Sequence, residues 1–115
     1  MTTRKITIAG KEVTLAYCCA TEIAFYKYTH ATIAEFDRSN PEHILYIILA
    51  CIIAWSQFKG EEPAVKDEDL MYNVNSKELV AILNTVFELC SEWYDMPLAE
   101  KKTESAESSS DSKNA

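Results

Sequence analysis

Glycine, proline and histidine are scarce in this chain, and the shortage of glycine removes one class of function directly. The 115 residues include two glycines, three prolines and two histidines. A phosphate-binding loop needs several glycines close together, so that backbone amides can approach the phosphate. Gly10 and Gly60 lie far apart in the chain, and the sequence therefore shows no nucleotide-binding loop.

Positive charge is also in the minority, which argues against a nucleic-acid partner. The chain has 18 Asp and Glu residues against 11 Lys and Arg residues, a formal net charge of -7. An acidic surface repels phosphate backbones. The densest basic group is Lys101-Lys102, inside a Ser/Glu-rich segment. We therefore expect no nucleic-acid binding.

Cysteine and histidine do not occur in the patterns of a metal centre or a catalytic pair. A zinc site needs two pairs of ligands that converge on the metal, whereas only Cys18 and Cys19 are paired here. Together with Cys51 and Cys90 they are expected to be reduced thiols that pack in the core. The two histidines are expected at helix termini, exposed to solvent, without the neighbouring thiol of a catalytic pair. They are His30 and His43.

One run of acidic residues, Asp67-Glu68-Asp69, invites a metal-site interpretation. It lacks the glycine and the distal glutamate of a calcium-binding loop. Three acids before an apolar residue are better explained as the first turn of a helix, where they complement the helix dipole. We therefore predict no enzyme activity, no catalytic residue, no metal ligand and no cofactor.

Long hydrophobic runs are absent too, which bears on membranes and export. The longest apolar stretch, Ile44 to Trp55, has 12 residues, whereas a membrane-spanning helix needs about 20. Near the start, Ile6-Thr7-Ile8 alternates in the manner of a strand, so no signal peptide is predicted. We expect a cytoplasmic protein without a membrane partner.

What the sequence does contain is hydrophobic periodicity, which predicts a mainly α (α+β) fold. Hydrophobic residues make up 48% of the chain, enough for a packed core. Arg4 to Tyr17 alternates apolar and polar residues around Ala9-Gly10-Lys11-Glu12, the pattern of a β-hairpin with a turn. A lone hairpin is only marginally stable in water, so it is expected to pack on helices.

The first predicted helix begins at Thr21-Glu22 and runs to about Thr29. Thr21 is the expected N-cap, because a threonine side chain can accept hydrogen bonds from the free amides of the first turn. His30 is expected to end the helix in the left-handed conformation. Ile23, Tyr26 and one side of Phe25 are predicted to face inward.

Three further helices are predicted from capping and breaking signals. Asn40-Pro41 begins a central helix that runs to about Phe58 and is followed by Gly60. A short helix is expected near Asp67 to Asn73. Asn75 or Ser76 then caps a last helix that runs to about Tyr94. The predicted core comes from the central and last helices: Ile47, Ile48, Cys51, Ile52, Leu83, Val86, Phe87 and Cys90.

Two regions differ in composition. Residues 1–97 are predicted to form a single globular domain, a hairpin packed on a bundle of three main helices plus a short helix. Residues 98–115 are rich in Ser, Glu and Lys and contain no aromatic residue. Such a segment cannot bury enough apolar area to offset the entropy of ordering, so a disordered tail is predicted.

Large aromatic residues cluster at the predicted helix ends, and they allow two interpretations. Most could be the edges of the core, which we favour because such apolar helices need covering. The remainder would be contact residues for a partner. The candidate partner-binding residues are Trp55, Phe58, Tyr72, Trp93 and Tyr94.

The order of these elements resembles a known family. The chain begins with a hairpin that carries Ile8-x-Gly10-Lys11 and Leu15, and Thr21-Glu22-Ile23 follows it. Next come a central helix that begins with proline, an acidic loop with a short helix, and a final helix that contains Glu-Leu. This pattern, over residues 5 to about 96, is similar to the small tail-assembly chaperones of long-tailed bacteriophages, the lambda type. It departs from the family at His30, where glycine would be expected.

The resemblance implies a function by protein contact. Such chaperones act in the cytoplasm of the bacterial host and are absent from the mature virion. They cover apolar helices of the tape-measure protein and help to bring tail-tube protein to it; self-association into a homo-oligomer is left open. The alternative is a small virion structural or head-tail adaptor protein, which also acts by protein contact.

Overall fold

The structure, a computed structural model, describes residues 1–96. The predicted tail, 98–115, and the last residue of the predicted domain lie outside the described residues. The elements in chain order are β1 (Thr2–Ile8), β2 (Lys11–Tyr17), α1 (Cys19–Thr29), a 3₁₀ helix (Ile33–Glu35), α2 (Pro41–Lys59), α3 (Asp67–Tyr72) and α4 (Ser76–Asp95). The predicted fold class, an N-terminal hairpin with three main helices and a short one, is confirmed.

The hairpin turns more tightly than the sequence suggested. Ile8 pairs with Lys11 across a two-residue turn, in which Ala9 and Gly10 have φ values of 51° and 78°. Two consecutive positive φ values are typical of a type I′ turn, whose twist matches that of the flanking strands. The helices cover the hairpin, because α2 contacts β2 and α4 contacts both strands.

Helix α1 starts three residues earlier than predicted, so Thr21 is not its N-cap. Cys18 occupies the N-cap position. Thr21 is the third residue of the helix, in its first turn, and is fully buried. Its Oγ1 donates to the carbonyl of Ala16 at 2.7 Å and accepts from the amide of Cys18 at 3.2 Å. The hydroxyl therefore ties the end of β2 to the first turn of α1.

The end of α1 agrees with the sequence. His30 adopts the left-handed conformation, with φ 60° and ψ 22°, and its amide donates to the carbonyl of Tyr26 at 2.7 Å. Histidine is one of the residues that tolerate this conformation better than β-branched residues do.

Helix α2 has the predicted start and stop. The Oδ1 of Asn40 accepts from the amides of Glu42 at 2.9 Å and His43 at 3.4 Å, and Pro41 follows as the first helical residue. Gly60 ends the helix with φ 71°.

Helix α2 is also the centre of the domain. It contacts β2, α1, α3 and α4, and Ile48, Ala50 and Cys51 on it are fully buried. By length and composition alone α2 could cross a membrane, but half of its 18-residue apolar window is buried within the domain. A helix that is apolar nearly all round is typical of a protein core.

The predicted core is largely confirmed. Six of its eight residues are buried: Ile47, Ile48, Cys51, Ile52, Leu83 and Val86. Phe87 and Cys90 were predicted to be buried as well, but they are only partly covered. Both line an open cleft beside α4, which the periodicity of one helix could not reveal.

Side-chain hydrogen bonds support the starts of the last two helices. The Oδ2 of Asp69 accepts from the amide of Lys66 at 3.1 Å, and this hydrogen bond is the main reason that the pKa of Asp69 is lowered. The first-turn interpretation of Asp67-Glu68-Asp69 is thus confirmed. For α4 the cap is Asn75, whose Oδ1 accepts from the amide of Glu78 at 2.8 Å.

Candidate protein-binding surface

The five aromatic residues proposed as partner contacts lie on three helices and differ in exposure. Phe58 and Tyr72 are 66% and 80% exposed, and Tyr94 is about half exposed. Trp55 and Trp93 are partly buried, and Trp93 packs against the core. The five candidate residues are therefore distributed over three helices and are not equally available to a partner.

Trp55 and Phe58 form an aromatic corner at the end of α2. Their ring centroids are 5.7 Å apart, and the Nζ of Lys59 lies 5.5 Å from the centre of the Trp55 ring. Trp55 also borders a small cavity of about 100 Å³, whose other walls include Val13 of β2 and Glu61 of the following loop. Phe58 is the part of this corner that faces water.

Tyr94 is held against α1 by a hydrogen bond. Its hydroxyl donates to Oε2 of Glu22, which also accepts from the hydroxyl of Tyr17 at 2.8 Å. The bond to Glu22 is the main reason that the pKa of Tyr94 rises to about 12. Substitution of Tyr94 would therefore remove a hydrogen bond that links α4 to α1, as well as any partner contact.

The outward face of α1 is more apolar than the sequence indicated. Ile23 and Tyr26 were predicted to face inward, but they are 52% and 51% exposed, whereas Ala24 and Phe25 are buried. The inward prediction was thus correct for Phe25 and wrong for Ile23 and Tyr26. Because α1 carries apolar residues on both sides, its own sequence could not select the buried face.

A groove runs between this face of α1 and α2. It encloses about 300 Å³ and is lined by Ala20, Ile23, Ala24, Lys27, Tyr28, Ile53 and Gln57. The ring of Tyr28 stacks on the ring of Tyr46 of α2, with centroids 4.9 Å apart and planes 6° apart. Small side chains on α1 leave space between the helices, and large ones beside them remain half exposed. This groove was missed by sequence reasoning.

The thiols are less deeply buried than expected. Cys51 is buried, Cys18 and Cys90 are partly buried, and Cys19 is exposed, all four as free cysteines. The core-packing prediction therefore holds fully for Cys51 alone. Burial is the main reason that the pKa of Cys51 is raised, and the charges of Cys18 and Cys90 add to the effect. Within residues 1–96, no group of three or more His, Cys, Asp or Glu side chains could hold a metal ion.

His43 is not exposed to solvent in the way that the sequence suggested. Its Nδ1 accepts from the amide of Asp37 at 3.0 Å, and its ring packs edge-on against Phe25, with centroids 5.4 Å apart. His43 thereby closes the turn before α2. His30 is exposed, as predicted.

A second apolar cleft lies between α2 and α4. It encloses about 310 Å³ between the end of β2, the 3₁₀ helix, α2 and α4, and its lining residues are Tyr17, Ile33, Phe36, Arg38, Ile47, Val86, Phe87 and Cys90. The guanidinium carbon of Arg38 lies 4.9 Å from the centre of the Phe87 ring. Phe87 and Cys90 belong to the apolar stripe of α4, but no signal in the sequence placed Arg38 beside them.

Comparisons of this chain with protein-family models, with curated proteins and with solved structures find no match.

Proposed function

We propose that this protein binds apolar helical segments of another protein, and that it is a tail-assembly chaperone for a phage tape-measure protein. In this role it would cover the tape-measure helices in the host cytoplasm and assist the addition of tail-tube protein. The observation that carries the proposal is the exposed apolar face of α1 beside the groove between α1 and α2.

The α1 face has the composition of a binding surface. Ile23 and Tyr28 are each about half exposed on a helix of 11 residues, and both line the groove. Burial of apolar surface is favourable by about 25 cal/mol per Å², so this face gains stability when another apolar surface covers it. Contiguous exposed apolar patches commonly mark interaction sites, and a groove between two helices suits a third, amphipathic helix.

The charge of the protein is consistent with this task. The net charge of -7 favours solubility of the chaperone with its apolar cargo. Among residues 1–96, Lys27 is the only charged residue that lines the groove. Because the contact is mainly apolar, added salt, which screens charge, should change the affinity little.

The five aromatic residues contribute unequally to this proposal. Phe58 and Tyr72 retain their proposed role as partner contacts, since both are mainly exposed. Trp55, Trp93 and Tyr94 have packing or hydrogen-bond partners inside the domain. Variants at those three positions would mix effects on stability with effects on binding.

The test is co-expression of the protein with fragments of a candidate tape-measure protein, followed by pull-down at low and high salt. Ile23→Ser and Phe58→Ser are expected to weaken capture at both salt concentrations while the fold is retained. Val80→Ser is the matched control, because Val80 is an equally exposed aliphatic residue on α4. Capture lost at high salt, or weakened equally by all three variants, would contradict the apolar-groove mechanism.

A second measurement separates the chaperone from the alternative, a virion structural or head-tail adaptor protein. Mass spectrometry of purified phage particles should find no stoichiometric copy of a chaperone. Its presence in the particles would favour the adaptor.

A further inference from the structure

We propose that the second cleft binds one large apolar side chain of a partner helix. Arg38 forms an ion pair with a carboxylate one turn away on that helix, and this ion pair selects the partner by charge. We call this site the Arg38 cleft, defined by the eight lining residues given above. The inference rests on the proposed function, since it assumes that the partner presents a helix.

The size and lining of the Arg38 cleft favour a side chain over a cofactor. Its volume of about 310 Å³ lies at the lower limit of the roughly 300–1,000 Å³ of typical small-molecule sites. Ile47 and Val86 form buried apolar wall, and Phe87 is a partly exposed aromatic ring at the side. An aliphatic or aromatic side chain matches such a space.

Among the eight lining residues, the buried hydroxyl of Tyr17 already has a hydrogen-bond partner within the domain. The hydroxyl of Tyr17 donates to Glu22 at 2.8 Å, and the residue is almost completely buried. Burial is the main cause that raises the pKa of Tyr17, so this hydroxyl stays neutral. It therefore does not require a polar group from the occupant.

Arg38 is the cation at this cleft, and within residues 1–96 it forms no ion pair. The ion pairs of the described chain belong to Arg4 and Lys11. Arg38 is exposed, and its guanidinium lies over the Phe87 ring. A guanidinium stacked on an aromatic ring keeps its outward N–H groups available for a carboxylate.

The acidic residues closest to Arg38 in sequence are engaged elsewhere. The Oδ1 of Asp37 accepts from the amide and the hydroxyl of Ser39 at 2.9 and 2.7 Å, and these bonds lower the pKa of Asp37. The Oε1 of Glu35 accepts from the amide of Thr32 at 2.8 Å. These contacts leave Arg38 available for an external carboxylate.

Charge complementarity therefore identifies the occupant. The protein as a whole is acidic and repels acidic partners, so a local cation beside an apolar cleft favours one orientation and one register. On a helix, residues three or four apart lie on the same face. The matching partner has Leu, Ile, Met or Phe at one position and Asp or Glu three or four residues away.

The experiment uses three synthetic helical peptides and the full chain. One peptide presents Leu and Glu four residues apart, the second presents Leu and Lys, and the third presents Ala and Glu. By fluorescence anisotropy, the Leu/Glu peptide is expected to bind wild type up to about fivefold more tightly than the Leu/Lys peptide, the upper range of an exposed ion pair. It should bind at least about tenfold more tightly than the Ala/Glu peptide, because the leucine side chain buries more apolar surface than alanine does. Arg38→Glu should abolish the preference for Glu over Lys.

The chain offers a matched control for Arg38. Lys59 is also a cation over an aromatic ring, that of Trp55, but it does not line the Arg38 cleft. Lys59→Glu changes the net charge by the same amount and should leave the preference for the Leu/Glu peptide unchanged. Equal loss of the preference in both variants would show a general charge effect and overturn the proposal.

A chemical footprint tests the location independently. Cys90 lines the cleft and is partly exposed, whereas Cys19 is exposed outside it. Saturating Leu/Glu peptide should slow alkylation of Cys90 by iodoacetamide and leave that of Cys19 unchanged, as read by mass spectrometry. No protection of Cys90, or no binding of the peptide, would overturn the proposal.

The two proposals can fail separately. If tape-measure fragments are captured while Arg38→Glu changes no peptide affinity, the Arg38 cleft is refuted and the chaperone proposal stands. If the peptides behave as expected while no tape-measure fragment is captured, the cleft has its assigned chemistry and the tail-assembly role is wrong.

Discussion

Helices α1 and α2 are both rich in apolar residues and lie against each other, yet they differ in how much of their surface other elements bury. Helix α2 has β2, α1, α3 and α4 around it, whereas α1 contacts α2, β2 and the 3₁₀ helix. As a result, Ile48 of α2 is fully buried, but Ile23 and Tyr26 of α1 are half exposed. An apolar composition shows that a helix is stabilised when other elements pack on it. The position of the helix in the bundle decides how many elements do so.

The starts of the two helices differ in the same way. Helix α2 begins with the side-chain cap of Asn40, which is local in sequence. Helix α1 begins directly after β2, and buried Thr21 joins the two elements. The Asn40 cap can be predicted from neighbouring residues. The hydrogen bonds of Thr21 depend on how β2 and α1 are placed relative to each other.

The largest effect is expected for Ile48→Ala. Ile48 is fully buried, so truncation leaves a cavity and should lower the free energy of unfolding by about 2–5 kcal/mol. Urea unfolding followed by circular dichroism measures the change. A loss close to zero would show that α2 is not the centre of a packed core.

Thr21→Val should have the next largest effect. The substitution keeps the shape but removes the hydrogen bonds with Ala16 and Cys18. Leaving the carbonyl and the amide without this partner in a buried site should cost about 1–3 kcal/mol of unfolding free energy. Thr21→Ser retains the hydroxyl and serves as the control; equal losses in both variants would argue that the methyl group, not the hydrogen bonds, matters.

The buried thiol of α2 predicts a loss of stability in alkali. Burial raises the pKa of Cys51 in the folded state, whereas in the unfolded chain a thiol titrates near about 8.5. The stabilising contribution is therefore complete below about pH 8.5 and falls as pH rises above it, by up to about 1.4 kcal/mol per pH unit.

The measurement is urea unfolding of variants between about pH 7.5 and 10, across the unfolded thiol pKa. Cys51→Ala should lower stability at neutral pH but show a shallower alkaline decline than wild type. Cys19→Ala should keep the wild-type decline, because Cys19 is exposed. Parallel declines in wild type and Cys51→Ala would contradict the assignment to Cys51.

The smallest effect is expected for Ile23→Ala on α1. Ile23 is half exposed, so the isolated protein should lose no more than about 0.5 kcal/mol of unfolding free energy. The same urea experiment as for Ile48→Ala allows a direct comparison of one isoleucine on each helix. A loss as large as that of Ile48→Ala would show that the outward face of α1 is already covered, for example in a homo-oligomer.

Local signals accounted for much of the fold. Asn40 with Pro41, Gly60, His30 and Asn75 gave helix ends that agree with the structure, because capping depends on residues close in sequence. The candidate site was harder to predict. The groove between α1 and α2 and the Arg38 cleft combine residues from distant parts of the chain, so no local pattern identifies them.

By itself, the sequence determined the order of elements, the central place of the most apolar helix and the shortage of residues for a nucleotide-binding loop. These follow from composition, periodicity and caps, which act over a few residues. Only the tertiary structure decided which face of α1 stays exposed, where the four thiols lie and that Arg38 stands over Phe87. The physical reason is that the burial and the pairing of a side chain depend on residues that are distant in sequence. Helix α1 has apolar residues on two faces, but the rest of the domain covers only one of them.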